Sequence, residues 1–126
     1  MLKILVVDDE PDVKDLFLQR FRREIRNAEF LLDFAKSGEE ALSYLSDHSS
    51  EVVLILSDIN MPGMSGFELL RHIREDFNIP PSPVVMMITA YGDPGSQEQA
   101  LQLGANDFLT KPLDFAFLKQ KLHDLA

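Results

Sequence analysis

Val52-Val53-Leu54-Ile55-Leu56-Ser57-Asp58 opens with five apolar residues in a row and ends on a carboxylate. Nothing polar alternates within the apolar part. The segment therefore reads as a strand covered on both faces, as in the middle of a parallel sheet. Three more segments repeat the arrangement. Ile4-Leu5-Val6-Val7 ends at Asp8-Asp9, Val84 to Ile88 ends at Thr89, and Phe108-Leu109-Thr110 ends at Lys111-Pro112. In an open parallel α/β sheet, ligands bind outside the carboxyl ends of the strands. Four such strands would bring Asp8, Asp9, Asp58, Thr89 and Lys111 to one edge.

The intervening segments have helical spacing. Pro11 opens a helix at its first turn, where a missing N–H costs nothing. Val13, Leu16, Phe17, Phe21 and Ile25 give it an apolar stripe. Phe30, Leu32 and Phe34 alternate, the pattern of a half-buried strand near an edge. Ser37 can cap a second helix with Glu40 as its capping-box partner, and Ala41, Leu42 and Leu45 form its buried face. Pro62 and Gly63 break the chain, and a third helix follows Gly66 with Phe67, Leu70, Ile73 and Phe77 on one side. Pro80, Pro81 and Pro83 form a connector. A fourth helix, about Pro94 to Leu103, has a thin apolar face of Ala100, Leu101 and Leu103, and Gly104 ends it. Phe115, Leu118, Leu122 and Leu125 line a final helix. The pattern predicts (βα)₅: one α/β domain over residues 1–126, a doubly wound five-stranded parallel sheet with helices on both faces.

Composition narrows the function. Apolar residues make up 45% and charged residues 26% of 126, the balance of an ordinary globular domain. A net charge of -9 argues against a nucleic-acid or anionic-membrane surface. No apolar run approaches the roughly 20 residues of a membrane span, and the N-terminus does not read as a signal peptide. The absence of cysteine excludes disulfides, thiolate metal sites and cysteine nucleophiles. A cytoplasmic location is the expectation.

Taken singly, the strand-end residues have ordinary readings. Asp8-Asp9 can be a helix cap, Asp58 a loop acid, Thr89 a strand-terminal residue and Lys111 a solvated charge. Taken together they describe phosphoryl-transfer chemistry. Clustered carboxylates raise each other's pKa unless a cation offsets them. An all-oxygen site suits Mg²⁺ or Mn²⁺ and not zinc. A carboxylate can attack phosphorus to form an aspartyl phosphate. Lys111 can neutralise charge on the phosphoryl oxygens, and the Thr89 hydroxyl can donate one hydrogen bond to them.

These residues resemble the receiver domain of two-component response regulators. The matching motifs are Ile4-Leu5-Val6-Val7-Asp8-Asp9-Glu10-Pro11, Asp58-Ile59-Asn60-Met61-Pro62-Gly63-Met64-Ser65-Gly66, Thr89-Ala90-Tyr91-Gly92-Asp93 and Gly104-Ala105-Asn106-Asp107-Phe108-Leu109-Thr110-Lys111-Pro112. The resemblance covers essentially the whole chain. It implies a flavodoxin-like fold, like that of chemotaxis regulators, with strand order 2-1-3-4-5. It implies that Asp58 accepts a phosphoryl group from a phosphohistidine on a histidine kinase or histidine phosphotransfer protein. Asp9, Asp58 and the backbone carbonyl of Asn60 would contact Mg²⁺, with Asp8 acting directly or through water. Thr89 and Lys111 would bind the phosphoryl oxygens, and Phe108 matches the switch aromatic. The family also carries a cis peptide at the position of Lys111-Pro112. Asn60 and Tyr91 sit where the family tunes hydrolysis of the acyl phosphate; Tyr91 either shields the phosphoryl group or packs on the fourth helix. The output surface would be the fourth helix, fifth strand and fifth helix, meeting a downstream protein, an effector domain or a second copy of the chain. Such a protein catalyses its own phosphorylation and slow dephosphorylation and is not otherwise an enzyme.

Other readings compete. A Mg²⁺-dependent aspartyl-phosphate phosphatase of the haloacid-dehalogenase type also uses an Asp after a strand. It needs a second carboxylate two residues later, where this chain has Asn60. A constitutive interaction module with a vestigial site is disfavoured by the complete acidic set. A flavin-binding protein would want a phosphate-cradling loop after the first strand, where Asp8-Asp9-Glu10 would repel phosphate. Arg20, Arg22, Arg23 and Arg26 read as a solvated helix end that also favours the helix dipole, with a phosphodonor contact as the second reading. Met61 and Met64 either face a partner or pack locally. His48, His72 and His123 show no ligand pairing. The chain stops at the last helix, as expected of a stand-alone receiver or of one separated from its effector domain.

Overall fold

A computed structural model describes residues 2–48, 54–77, 83–89 and 93–125, the last without its side chain. Its strands are β1 (Leu2–Val7), β2 (Phe30–Ala35), β3 (Leu54–Asp58), β4 (Val84–Thr89) and β5 (Asp107–Thr110). All pairs are parallel and the order is β2-β1-β3-β4-β5. This is the flavodoxin-like arrangement. The helices are α1 (Pro11–Arg20), α2 (Arg22–Arg26), α3 (Gly38–His48), α4 (Gly66–Asp76), α5 (Pro94–Gln102) and α6 (Phe115–Leu125).

Successive strand side chains point to opposite faces of the sheet, and the two cores follow that alternation. Leu5, Val7, Ile55, Val85 and Met87 face α3, α4 and α5 through Ala41, Leu45, Leu69, Leu70, Ile73 and Ala100. Ile4, Val6, Leu54, Leu56, Met86 and Ile88 face the other way, onto Phe17, Phe21, Leu118 and Leu122 of the α1, α2 and α6 layer. β1, β3 and β4 are covered on both sides, which is why their sequences run apolar without alternation. Edge strand β2 buries Phe30 and Leu32 and exposes Leu31.

The ends of the elements mostly match their sequence signals. The Glu40 N–H donates to Ser37 Oγ at 3.1 Å, so Ser37 caps α3. Gly104, with φ of 100°, terminates α5. The Lys111-Pro112 peptide is cis. Val52, Val53, Pro80, Pro81, Tyr91 and the Leu125 side chain fall outside the described residues.

Three helical readings change. The single helix expected after Pro11 is two segments, interrupted at Phe21. The hydrogen-bond ladder still crosses the break: the Phe21 N–H donates to Phe17 O and the Ile25 N–H to Phe21 O, both at 2.9 Å. The departure seats the Phe21 ring among Phe17, Phe30 and Phe115. Leu16, expected on the buried stripe, is 39% exposed. Phe17 and Phe21 are four apart and set the buried line, and Leu16 falls beside it. Leu101 is 47% exposed, because α5 meets the core through Ala100. Both gaps in the expected pattern are helix flanks, where periodicity resolves least.

Candidate functional site

Strand register brings the site residues to nearly one level. Val7 pairs with Ser57, so Asp8 and Asp58 each stand one residue further on. Asp58 pairs with Ile88, which puts Thr89 next. Thr89 pairs with Thr110, and Lys111 follows. A one-residue slip of β3 would turn Asp58 to the other face of the sheet. Burial of Leu54, Ile55 and Leu56 on both faces holds β3 in the sheet. At the start of α4, Gly66 permits a close approach: a Cβ there would sit 2.2 Å from the Asp58 carbonyl oxygen and 2.7 Å from Ile59 Cα. The Gly66 N–H donates to Ile59 O at 2.8 Å, folding α4 back directly beneath the Asp58 strand end.

Asp8, Asp9 and Asp58 each offer one carboxylate oxygen within a group whose members lie within 4.8 Å of one another. Asp8 and Asp58 are buried and Asp9 is more accessible. Burial pushes the Asp8 pKa above the ordinary carboxylate value; a hydrogen bond from the Glu10 N–H opposes this, and the Asp58 charge adds to it. The group has the donor chemistry of a hard divalent cation: oxygen ligands only, two of them drawn out of water and repelling each other. Asn60 is exposed on the loop two residues after Asp58.

Lys111 reaches the same point. Its Nζ donates to Asp58 Oδ2 at 3.1 Å. Burial lowers the Lys111 pKa, but the Asp58 hydrogen bond and the charges of Asp58, Asp8 and Glu10 outweigh it, so the ammonium is held above the ordinary lysine value. The Thr89 hydroxyl is buried and donates to Leu109 O at 3.3 Å, toward β5. Phe108 is half-buried beside Leu113 and Phe117 in a groove of about 310 Å³ on the β5–α6 side. A larger groove of about 840 Å³ starts at Asp8 and Lys111 and runs between α1 and α6, past Leu16, Arg20 and Leu113.

The remaining candidates resolve toward packing. Met61 is buried and Met64 packs on the same core. His48 stacks on Tyr44, His123 stacks on Phe30, and His72 lies 3.6 Å from Asp76. Arg20, Arg22, Arg23 and Arg26 are exposed. Several structural residues carried no sequence signal. Arg74 donates to Gly104 O, Pro83 O and Asn106 Oδ1. Buried Glu24 pairs with Lys119 at 3.1 Å. Glu39 accepts the Met64 N–H at 3.0 Å. Each joins positions that are distant in the chain, so no local pattern marks them.

Comparison with known proteins gives a consistent result. The family model for the response regulator receiver domain matches residues 4–123. Response regulator RppA of Synechocystis sp. is 33% identical over 98% of this chain and 50% of its own length. An uncharacterized 14.6 kDa protein of Leptolyngbya boryana is 41% identical over 90% of this chain and 81% of its own. The crystal structure of chemotaxis protein CheY4 of Vibrio cholerae superposes with a TM-score of 0.82 at 26% identity, covering 100% of this chain and 99% of that one. The chain spans about half the length of RppA, as of other response regulators it matches. A match of that extent, on a sheet with this strand order, makes the chain a member of the response regulator receiver domain family.

Proposed function

We propose that the chain is a phosphorylation-driven switch in a two-component phosphorelay, with Asp58 as phosphoacceptor. The observation that carries this is the Lys111–Asp58 contact at 3.1 Å within the Asp8, Asp9 and Asp58 cluster. An Asp58 oxygen attacks the phosphorus of a phosphohistidine. The P–N bond breaks and the imidazole leaves with its electron pair. Lys111 balances charge on the phosphoryl oxygens and Thr89 turns its hydroxyl toward them. Water later hydrolyses the acyl phosphate.

Asp8, Asp9, Asp58 and the Asn60 carbonyl are the groups that would hold Mg²⁺ or Mn²⁺. When bound, such an ion supplies charge neutralisation at the transferring group. The donor of the phosphoryl group would be a histidine kinase or phosphotransfer protein. The groove between α1 and α6 leads from Lys111 along an apolar lining that includes Leu16, and would seat that partner's helix. The face formed by α5, β5 and α6 would meet a downstream protein, an effector domain or a second copy. These are the fourth helix, fifth strand and fifth helix of the sequence reading, renumbered by the break at Phe21. The domain itself would contact neither nucleic acid nor membrane, and would act in the cytoplasm. No helix of the described residues is long and apolar enough to cross a membrane. The phosphatase alternative has no support: the chain belongs to the receiver family, and Asn60 stands where the second carboxylate would be.

The test is to incubate the protein with Mg²⁺ and phosphoramidate, whose P–N bond mimics phosphohistidine, and to locate the acyl phosphate by mass spectrometry. Label on Asp58 that disappears in Asp58→Ala is the expected result. Full labelling of Asp58→Ala would refute the assignment.

A further inference from the structure

The loop from Ile59 to Ser65 carries Asn60 away from the phosphoacceptor strand, and its shape has an outside support. Ile59 and Met61 are buried on either side of Asn60, which anchors the loop's first half. The second half has less to hold it. Pro62 and Gly63 are exposed, and Gly63 takes φ of 73°. There the first turn of α3 reaches across. The Met64 N–H donates to Glu39 Oε1 at 3.0 Å. The Met64 side chain lies on Gly38, where a Cβ would come within 2.8 Å of Sδ and 2.9 Å of Cγ. The Glu39 carboxylate also faces Gly63: a Cβ on that residue would meet both carboxylate oxygens at 3.6 Å. Gly38 thus makes room for the loop, and Glu39 fixes its height by accepting one backbone hydrogen bond.

We infer that Glu39 is a positioning residue for the phosphoacceptor site: by accepting the Met64 amide it holds the loop that carries Asn60. The inference rests on the receiver reading above. Glu39 is exposed and is not a member of the Asp8, Asp9 and Asp58 group, so it acts through the loop alone. A ligand carbonyl on a wandering loop must be ordered when a cation binds, and that entropy comes out of affinity. A loop already held by Glu39 avoids it. The role depends on an acceptor oxygen at this position and not on its charge. Glutamine should therefore substitute and alanine should not.

The experiment compares wild type, Glu39→Ala and Glu39→Gln as full chains. Three readouts are taken: hydrogen exchange of the Met64 amide without metal, Mg²⁺ affinity from amide shifts, and the rate of Asp58 labelling by phosphoramidate. In Glu39→Ala the Met64 amide should exchange faster, and Mg²⁺ affinity and labelling rate should each fall about fivefold. Glu39→Gln should stay within about twofold of wild type in all three. Glu39→Ala matching wild type in affinity and rate would overturn the inference. So would an equal loss in Glu39→Gln, because that result reports charge near α3 and not the held loop. Wild type that takes no label on Asp58 would instead sink the receiver reading, and this inference with it.

Discussion

Lys111 Nζ lies 3.1 Å from Asp58 Oδ2, although β4 separates the strands that carry them. The long lysine side chain spans the end of β4 and keeps 40% of its surface exposed, whereas Asp58 is 6% exposed. The contact therefore places a partly exposed cation over a buried anion. An exposed partner contributes little to folding. Under the proposed function, its value would be to charge neutralisation at the carboxylate.

Lys111→Ala is accordingly expected to slow Asp58 labelling by about 100- to 1000-fold, the scale of losing one electrostatic stabiliser. Stability should change by no more than about 1 kcal/mol. Labelling kinetics with phosphoramidate and urea unfolding of the same preparation check both halves. A large stability loss with normal labelling would show Lys111 to be structural.

Asp8 gives a pH dependence whose sign can be worked out. Its folded pKa is raised, chiefly by burial and further by Asp58. A raised carboxylate favours the protonated folded state, so its stability contribution is present at low pH. That contribution is lost as pH rises from the ordinary carboxylate value through the raised one. In metal-free buffer at pH 7, Asp8→Asn should therefore be more stable than wild type, read as a higher urea midpoint. The difference should shrink below the ordinary carboxylate range. Urea unfolding in chelator across pH tests this. Adding Mg²⁺ should stabilise wild type more than Asp8→Asn or Asp9→Asn, because an ion held by the folded cluster would not bind the unfolded chain.

The Thr89 hydroxyl donates to Leu109 O, so it must give up a bond to β5 in order to reach a phosphoryl oxygen. That exchange would link Asp58 to the strand carrying Phe108. Thr89→Ala should cost about 1 kcal/mol, since one buried hydrogen bond to the Leu109 carbonyl is lost. It should also confine the amide shifts induced by beryllofluoride and Mg²⁺, the stand-ins for the phosphoryl group and its cation. In wild type those shifts should extend into residues 94–125. A wild-type response limited to the loops around Asp58 would exclude α5, β5 and α6 as the output face.

Gly66→Ala sets two effects against each other. Alanine in a helix is better than glycine by about 1 kcal/mol. The added Cβ, however, would sit 2.2 Å from a backbone oxygen, which cannot swing away as a side chain could. Sterics should win, with a loss of roughly 3 kcal/mol or more, read as a lowered urea midpoint.

The sequence alone determined the elements and the level at which the chemistry sits. Ile4 to Val7, Leu54 to Leu56 and Val84 to Ile88 are apolar on both faces, so each had to be a covered strand, and Asp8, Asp58 and Thr89, one or two residues on, had to come at the strand ends. Ser37 and Gly104 marked helix ends through local backbone chemistry. Residue pattern was silent on strand order; the family resemblance supplied 2-1-3-4-5, because periodicity reports which faces are apolar and not which strands are neighbours. Tertiary structure decided the rest. It turned Met61 and Met64 inward, left Leu16 and Leu101 outside, aimed the Thr89 hydroxyl at Leu109, and joined Glu24 to Lys119 and Glu39 to the Met64 amide. Those outcomes depend on which surfaces meet after the chain has crossed the sheet. A side chain's partner at that distance is set by packing and register, to which a local sequence window has no access.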